Sequence, residues 1–139
     1  MAFVSIAMHI LTKGFCDCHD ITREVNDAVE NSGIDSGIVT VFIPGSTAGL
    51  TTIEFEEGAV NDFIDTLEKL VPQDAQYKHN RKLGDGNGFS HVRGALVGPS
   101  LAVPFTNGIP QLGQWQQILL IDFDNKPRNR KYLINILGE

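Results

Sequence analysis

The chain has 139 residues, of which 42% are hydrophobic and 20% are charged, and its formal net charge is −6. This length predicts one domain, residues 1–139, that can bury a core without disulfides or a structural metal. The acidic balance argues against a protein that follows a nucleic-acid backbone, and the lack of a long apolar run argues against a membrane span or a secretory leader.

In the first half of the chain, hydrophobic periodicity predicts four strands and two helices. Apolar residues alternate along residues 4–10, which is the period of a half-buried strand, and residues 15–20 predict a second strand after a turn. The segment between a capping Thr22 and a stop at Gly33 carries an apolar stripe at helical spacing. Residues 37–43 and 50–55 predict strands on either side of a small-residue loop at 45–49. Residues 59–71 predict the second helix, which Pro72 ends.

The second half of the chain predicts a polar segment, a short helix and a set of hairpins. Ser90 can cap a helix that reaches Val97. Asn107-Gly108 is a strong hairpin signal between predicted strands at 101–105 and 110–114. Strands follow at 116–123 and 128–137, with a turn between them. Because strands outnumber helices and hairpins dominate the last third, the predicted fold class is α+β, a largely antiparallel sheet or sandwich with two or three helices.

The polar segment from His79 to His91 holds the candidate site. It combines two imidazoles, a carboxylate, two amides, an arginine and three glycines, which allow tight folding around a small ligand. Imidazoles and carboxylates are common ligands of metal ions, so His79, Asp85 and His91 are candidate ligands of a divalent ion, either Mg²⁺ or Zn²⁺. Asn87 could orient a substrate group or a ligated water. A plain polar loop is the alternative, and direct substrate contact fits these residues as well as a metal does.

Anion contacts are predicted on both sides of this segment. Arg81 and Arg93 are the candidate contacts to a phosphate, because a guanidinium stays charged and offers parallel donors. Ser46 and Thr47, on the small-residue loop, could add hydroxyl and backbone N–H donors. Glu54 falls on the non-core face of its predicted strand and could act as a general base or help to hold Mg²⁺. Surface arginines, a plain turn and a solvated glutamate are the alternatives.

Three other features favour simpler interpretations. Trp115, the only tryptophan, could stack on a flat ring, but it more often indicates packing in a core or an interface. Cys16 and Cys18 share one face of a predicted strand while His19 points to the other, so they form an incomplete zinc site. The cysteine count suits a reducing compartment, and the sequence predicts a cytoplasmic protein.

A basic run at residues 126–131 leaves room for a small anion site.

Short motifs spread along the chain carry a family resemblance. They are Asp20-Ile21-Thr22, Ser36-Gly37-Ile38-Val39, Phe42-Ile43-Pro44, Ser46-Thr47-Ala48, Glu54, His79-Asn80, Gly86-Asn87, Ser90-His91-Val92, Gly98-Pro99-Ser100-Leu101, Asn107-Gly108 and Leu112-Gly113-Gln114-Trp115-Gln116-Gln117-Ile118. By their order and spacing, the chain resembles the YjbQ-like family over essentially its whole length. Members of that family are often labelled secondary thiamine-phosphate synthases.

The resemblance implies a homotrimer with clefts near subunit contacts and a small phosphorylated substrate. The acidic net charge and the lack of a long apolar run predict neither nucleic acid nor membrane as partner. It also implies an enzyme that couples a pyrimidine diphosphate to a thiazole phosphate and releases pyrophosphate. The predicted catalytic residues are His79, His91, Asn87 and Glu54, and a metal ion and arginines would stabilise the charge on the leaving pyrophosphate. A non-catalytic trimeric binding protein for a metal ion or phosphorylated metabolite, and a metal-assisted hydrolase, need the same ligands and stay open.

One departure from the family pattern bears on activity. Many members carry His-Thr-Thr where this chain has Gly45-Ser46-Thr47, so any role of that histidine is absent here. Many also carry Asn-Glu where this chain has Ile53-Glu54, which keeps the carboxylate and loses the amide.

Overall fold

The computed structural model describes residues 1–139 as eight strands and four helices. The elements in chain order are β1 (Ala2–Thr12), β2 (Asp17–Asp20), α1 (Thr22–Ser32), β3 (Gly37–Phe42), β4 (Ala48–Ile53), α2 (Glu57–Leu70), α3 (Lys78–Leu83), α4 (Gly88–Val97), β5 (Ser100–Thr106), β6 (Ile109–Pro110), β7 (Gln117–Asp122) and β8 (Arg128–Gly138). The strands form a five-stranded sheet in the order β1-β8-β3-β5-β6 and a three-stranded sheet in the order β2-β7-β4. Every strand pair is antiparallel, which confirms the predicted α+β class.

The main core lies between the two sheets. The central strand of the smaller sheet, β7, is buried on both faces, because one face meets the larger sheet and the other meets α2. Ile118 and Leu120 join the core with the inward side chains of β3 and β8, whereas Leu119 and Ile121 pack with Leu67 of α2. A strand buried on both faces reads as a continuous apolar run rather than as an alternation. This is why residues 118–121 are all apolar.

The outer face of the larger sheet is open to solvent and carries several apolar side chains among polar ones. Phe3 and Leu11 of β1, Ile38 and Phe42 of β3, and Leu137 of β8 expose between 38% and 77% of their surface. Exposed apolar side chains grouped on a sheet, such as Phe3, Ile38 and Leu137, are typical of a surface that contacts another protein. The predicted homotrimer would require such a face, and it stays a prediction.

Several element boundaries differ from the sequence-based expectation for local reasons. The second strand is short because Phe15 and Cys16 have φ values of 54° and 61°, which end extended backbone there. Helix α2 begins two residues early, since the Glu56 side chain accepts hydrogen bonds from the N–H groups of Gly58 and Ala59. Strand β6 ends at Pro110, well before the predicted end of that strand. None of the four helices is long and apolar enough to cross a membrane.

Candidate functional site

The polar segment folds as two helices joined by a tight turn. The sequence did not predict the first of them, α3, because it spans only six residues and buries none of them. Gly84 ends α3 in the left-handed conformation. The turn is closed by side chains: Asp85 Oδ1 accepts the Asn87 N–H at 3.1 Å, and Asn80 Oδ1 accepts the Gly88 N–H at 2.8 Å. The helix–turn–helix therefore brings the two ends of the segment back to one place.

His79 on α3 and His91 on α4 lie side by side. Their ring centroids are 4.4 Å apart and the ring planes are inclined by 49°. His79 Nε2 lies 3.1 Å from Asp85 Oδ2. The backbone N–H of Asn87 and the His79 ring lower the pKa of Asp85, so this carboxylate is ionised at neutral pH and accepts the Nε2–H of His79. Asp85 thereby fixes the orientation of one imidazole next to the other.

His91 faces a small hollow between α4 and the loop that precedes β4. The hollow has a volume of about 230 Å³, and its lining residues are Gly45, Ser46, Ala48, His91, Gly94, Ala95 and Pro99. Ser46 and His91 supply its only polar side chains. A Cβ at Gly94 would lie 3.1 Å from the carbonyl oxygens of Ser46 and Ala48, so glycine lets α4 approach the loop. His79 touches His91 but does not line the hollow, so only one of the two predicted imidazoles opens on it directly.

A buried polar cluster lies behind this loop and holds Thr47. The Thr47 hydroxyl donates to Asp124 Oδ2 at 2.9 Å and accepts from Arg130 NH2 at 2.6 Å. Arg130 also donates from Nε and NH2 to the two oxygens of Asp122 at 2.8 and 2.9 Å, and Thr12 donates to the same carboxylate. All five side chains are buried. The predicted contact of the Thr47 hydroxyl to a substrate is therefore not available, because this hydroxyl anchors the loop instead.

Asn87 connects the helix–turn–helix to the same cluster. Its Oδ1 accepts the Asn125 N–H at 3.2 Å, and its side chain approaches Asp124. Burial would raise the pKa of Asp124, but Thr47, Asn87 and Arg128 outweigh burial and lower it. Asp124 Oδ1 nevertheless stays buried without a hydrogen bond of good geometry. Asn87, which is 6% exposed, thus positions the turn that carries the histidines.

The two predicted arginine contacts lie away from the hollow. Arg93 is 3% exposed, and its donors are occupied: Nε and NH2 bind the Val71 carbonyl at 3.0 and 2.9 Å, and NH2 binds Glu68 at 2.5 Å. Arg93 ties the end of α2 to α4 and is not available as a surface anion site. Arg81 is exposed and lines a separate groove with Tyr77.

Glu54 lies at the far end of β4 from the hollow. In the β4–β7 register Ala48 faces Asp122, whereas Ile53 faces Gln117. At about 3.3 Å per residue, Glu54 is on the order of 20 Å from Thr47 along the strand. Within one chain, Glu54 therefore cannot act together with His91. Trp115 sits at the same end, in a turn, and is 65% exposed, so it does not pack in the core of its own chain.

The structure does not assemble the predicted metal ligands into a site. No group of three or more His, Cys, Asp or Glu side chains is arranged to hold a metal ion, and His79, Asp85 and His91 do not form such a group either. His79 Nε2 is paired with Asp85 Oδ2, so this nitrogen and this carboxylate oxygen face each other and do not point to a shared metal position.

The cysteines are structural. Burial raises the pKa of Cys16. Burial, and to a smaller extent the neighbouring Cys16, raises the pKa of Cys18 to about 12, so neither cysteine is a thiolate at neutral pH. Cys18 donates to the Cys16 carbonyl, and Arg93 donates to the Cys16 sulfur.

Sequence reasoning missed Asp122, Asp124 and Arg130. The pairing of β7 with β4 brings Asp122 opposite Ala48 and so to the loop that carries Thr47. The only signal in the sequence was the basic run at residues 126–131, which contains Arg130 but does not show which of its side chains points inward.

Comparison with known proteins gives a consistent result. The family model described as UPF0047 protein YjbQ-like matches residues 7–139. A UPF0047 protein of Methanothermobacter thermautotrophicus is 41% identical over 120 residues, which cover 86% of this chain and 82% of that protein. The crystal structure of a YbjQ-like protein of unknown function from Sulfolobus solfataricus superposes on this chain with a TM-score of 0.89 at 29% sequence identity. The superposition covers 99% of this chain and 100% of the Sulfolobus chain. The chain therefore belongs to the UPF0047, YjbQ-like family.

Proposed function

We propose that this protein is a transferase of the thiamine-phosphate synthase type that couples a pyrimidine diphosphate to a thiazole phosphate. The observation that carries the proposal is the pair of adjacent imidazoles, one oriented by Asp85 and the other open to a small hollow beside Ser46. The hollow supports an anionic, phosphorylated ligand. The pyrimidine and the thiazole come from the family resemblance.

The size of the hollow indicates which part of the substrate it would hold. Its volume of about 230 Å³ is below the range of about 300–1,000 Å³ in which whole ligands of drug size are bound. A phosphate or diphosphate group fits this space, and the heterocycles would then lie outside it. The predicted trimer would place surfaces of a second copy near such an open rim. Sedimentation of the purified protein tests this arrangement, and a stable monomer of 15.2 kDa would contradict it.

The reaction needs stabilisation of a leaving group more than it needs a base. The bond between the pyrimidine methylene carbon and the diphosphate oxygen breaks, its electron pair leaves with pyrophosphate, and the thiazole nitrogen forms the new C–N bond. His91 would donate an N–H to the departing pyrophosphate, while His79, held by Asp85, would keep the His91 ring in place. We derive no step through a resident metal ion.

The test is the two-substrate coupling assay on three proteins. We expect wild type to form thiamine phosphate and pyrophosphate, and His91→Ala to lose most of this activity, since one oriented donor is typically worth a factor of about 100 to 1,000. His19→Gln is the matched control, because it removes an imidazole that pairs with Asp17 on β2, outside the hollow. No product from wild type, or equal loss in the control, would contradict the proposal.

A second candidate is a protein that binds a phosphorylated metabolite without turning it over. The observation that favours it is Gly45, which stands where many family members carry a histidine. Tight binding of either phosphate substrate without product would support this candidate. Release of inorganic phosphate from simple esters would instead indicate a hydrolase.

A further inference from the structure

We propose that Arg130, which lies beside the hollow behind Gly45, binds the phosphate group through its NH1 nitrogen. The basic run at residues 126–131 contains this residue, but neither that run nor the family assignment singles it out. The inference rests on the proposed function for the class of ligand, a phosphate or diphosphate. The site itself follows from the geometry of the side chain.

The guanidinium group of Arg130 is held rigidly along one edge. Nε and NH2 donate to Asp122 at 2.8 and 2.9 Å, and NH2 also donates to the Thr47 hydroxyl at 2.6 Å. The side chain is 10% exposed. A planar guanidinium fixed by two nitrogens has its third nitrogen fixed as well, so the direction of NH1 is set by the fold.

NH1 itself has no partner in the protein. Arg130 makes its side-chain hydrogen bonds through Nε and NH2 alone. The only side-chain nitrogen or oxygen atoms that are both sealed from solvent and unpartnered are Glu24 Oε2 and Asp124 Oδ1. NH1 therefore reaches solvent, although nine-tenths of the side chain is buried.

Gly45 relates NH1 to the hollow. Arg130 is not itself a lining residue, but Gly45 is, and a Cβ on Gly45 would lie 3.1 Å from Arg130 NH1. The φ of Gly45 is 147°, a conformation that side chains other than glycine rarely adopt. Glycine at this position thus places no side chain against NH1 at this edge of the hollow.

The charges of the cluster define what kind of ligand NH1 would take. Asp122 and Asp124 carry two negative charges, and Arg128 and Arg130 carry two positive charges, so the cluster has no excess charge with which to attract any anion from a distance. Binding would depend on short, directed hydrogen bonds from NH1, which suit the oxygens of a phosphate. The hollow would accordingly discriminate by shape and contact, and pyrophosphate is the appropriate probe.

The test is titration of the purified protein with inorganic pyrophosphate, followed by calorimetry. We expect Arg130→Lys, which keeps the charge but lacks NH1, to weaken binding at least about tenfold. We expect Gly45→Ala, which leaves Arg130 in place and covers NH1, to weaken it similarly. Lys131→Gln is the control, because Lys131 is exposed on the same strand. The affinity of this variant for pyrophosphate should match that of wild type. Unchanged affinity in both variants, or no binding to wild type, would overturn the inference.

A measurement on wild type covers the case in which a variant does not fold. The guanidinium ¹⁵N resonance of Arg130 should shift on addition of pyrophosphate, while that of Arg23, whose side chain is 90% exposed, should not. A shift of both or of neither would refute the assignment. If pyrophosphate binds through Arg130 but the two substrates are not coupled, the proposed function fails and this inference stands. If coupling occurs and the variants keep wild-type affinity and KM, only this inference fails.

Discussion

Arg93, between α2 and α4, and Arg130, on β8 beside β7, are both at most 9% exposed, but their guanidinium groups are used differently. All three nitrogens of Arg93 donate to protein atoms, and its Cζ lies 5.0 Å from the ring centroid of Phe89. Arg130 uses two nitrogens in the same way and keeps the third free beside Gly45. A buried arginine can bind a ligand only where one edge of the guanidinium lacks a protein acceptor.

The largest effect should come from removing the acceptor that fixes Arg130. Asp122→Asn would leave the buried guanidinium and Thr12 without a charged partner. Breaking one side of a buried ion pair costs about 3–5 kcal/mol, so we expect the free energy of unfolding to fall by about that amount. Urea unfolding measures it, with Lys82→Ala on exposed α3 as a control that should change stability by less than about 0.5 kcal/mol. A loss below about 1 kcal/mol would show that the cluster is not what holds the loop.

The counterpart on Arg93 should separate stability from binding. Arg93→Met keeps an apolar stem but leaves the Val71 carbonyl without its donors, and we expect a loss of about 1–3 kcal/mol in the free energy of unfolding. Pyrophosphate affinity should stay at the wild-type value, because all three nitrogens of Arg93 already donate to protein atoms. Weaker pyrophosphate binding in a folded Arg93→Met protein would restore Arg93 as the anion contact that the sequence predicted.

A smaller effect is expected from acid. The pKa values of Asp122 and Asp124 are both lowered below the ordinary value of 3.8, since hydrogen bonds, mainly from Arg130 and from Thr47 respectively, outweigh the effect of burial. Groups with a lowered pKa stabilise the fold fully above the unfolded-state value, and that stability is lost as the pH falls through the folded-state values. We therefore expect urea stability to drop below about pH 4 in wild type and to drop less steeply in Asp122→Asn. Parallel curves would contradict the assignment of this loss to the cluster.

The smallest expected effect concerns metal. Because no three His, Cys, Asp or Glu side chains are arranged to hold a metal ion, we expect elemental analysis to find no stoichiometric metal after dialysis against a chelator, and thermal stability to be unchanged by that dialysis. Stoichiometric zinc that disappears in His79→Ala and in His91→Ala would show that the side chains rearrange. The metal site predicted from His79, Asp85 and His91 would then be correct.

The sequence could predict the elements that have a local hydrophobic pattern. Strands with one buried face, such as β1, and the apolar stripe of α1 are local patterns with a fixed period, so their order and the α+β class followed from the sequence. Helix α3 has no buried face and therefore no pattern. His79, Asp85 and His91 are close in sequence, and one turn brings them together.

The functional roles of the two arginines depended on contacts between distant segments. Arg93 is saturated only because the end of α2 lies against it, 22 residues away in the chain. Arg130 on β8 reaches Thr47 across 83 residues, although β8 lies in the larger sheet and Thr47 precedes β4 of the smaller sheet. No local periodicity records such contacts, so the sequence named Arg81 and Arg93 and could not single out Arg130 within the basic run at residues 126–131.

The most direct test of this account is a crystal of the wild-type protein soaked with pyrophosphate. The account predicts density in the hollow, with phosphate oxygens within hydrogen-bond distance of Arg130 NH1, the Ser46 hydroxyl and His91. Density in the groove beside Arg81, with the hollow holding only water, would contradict it.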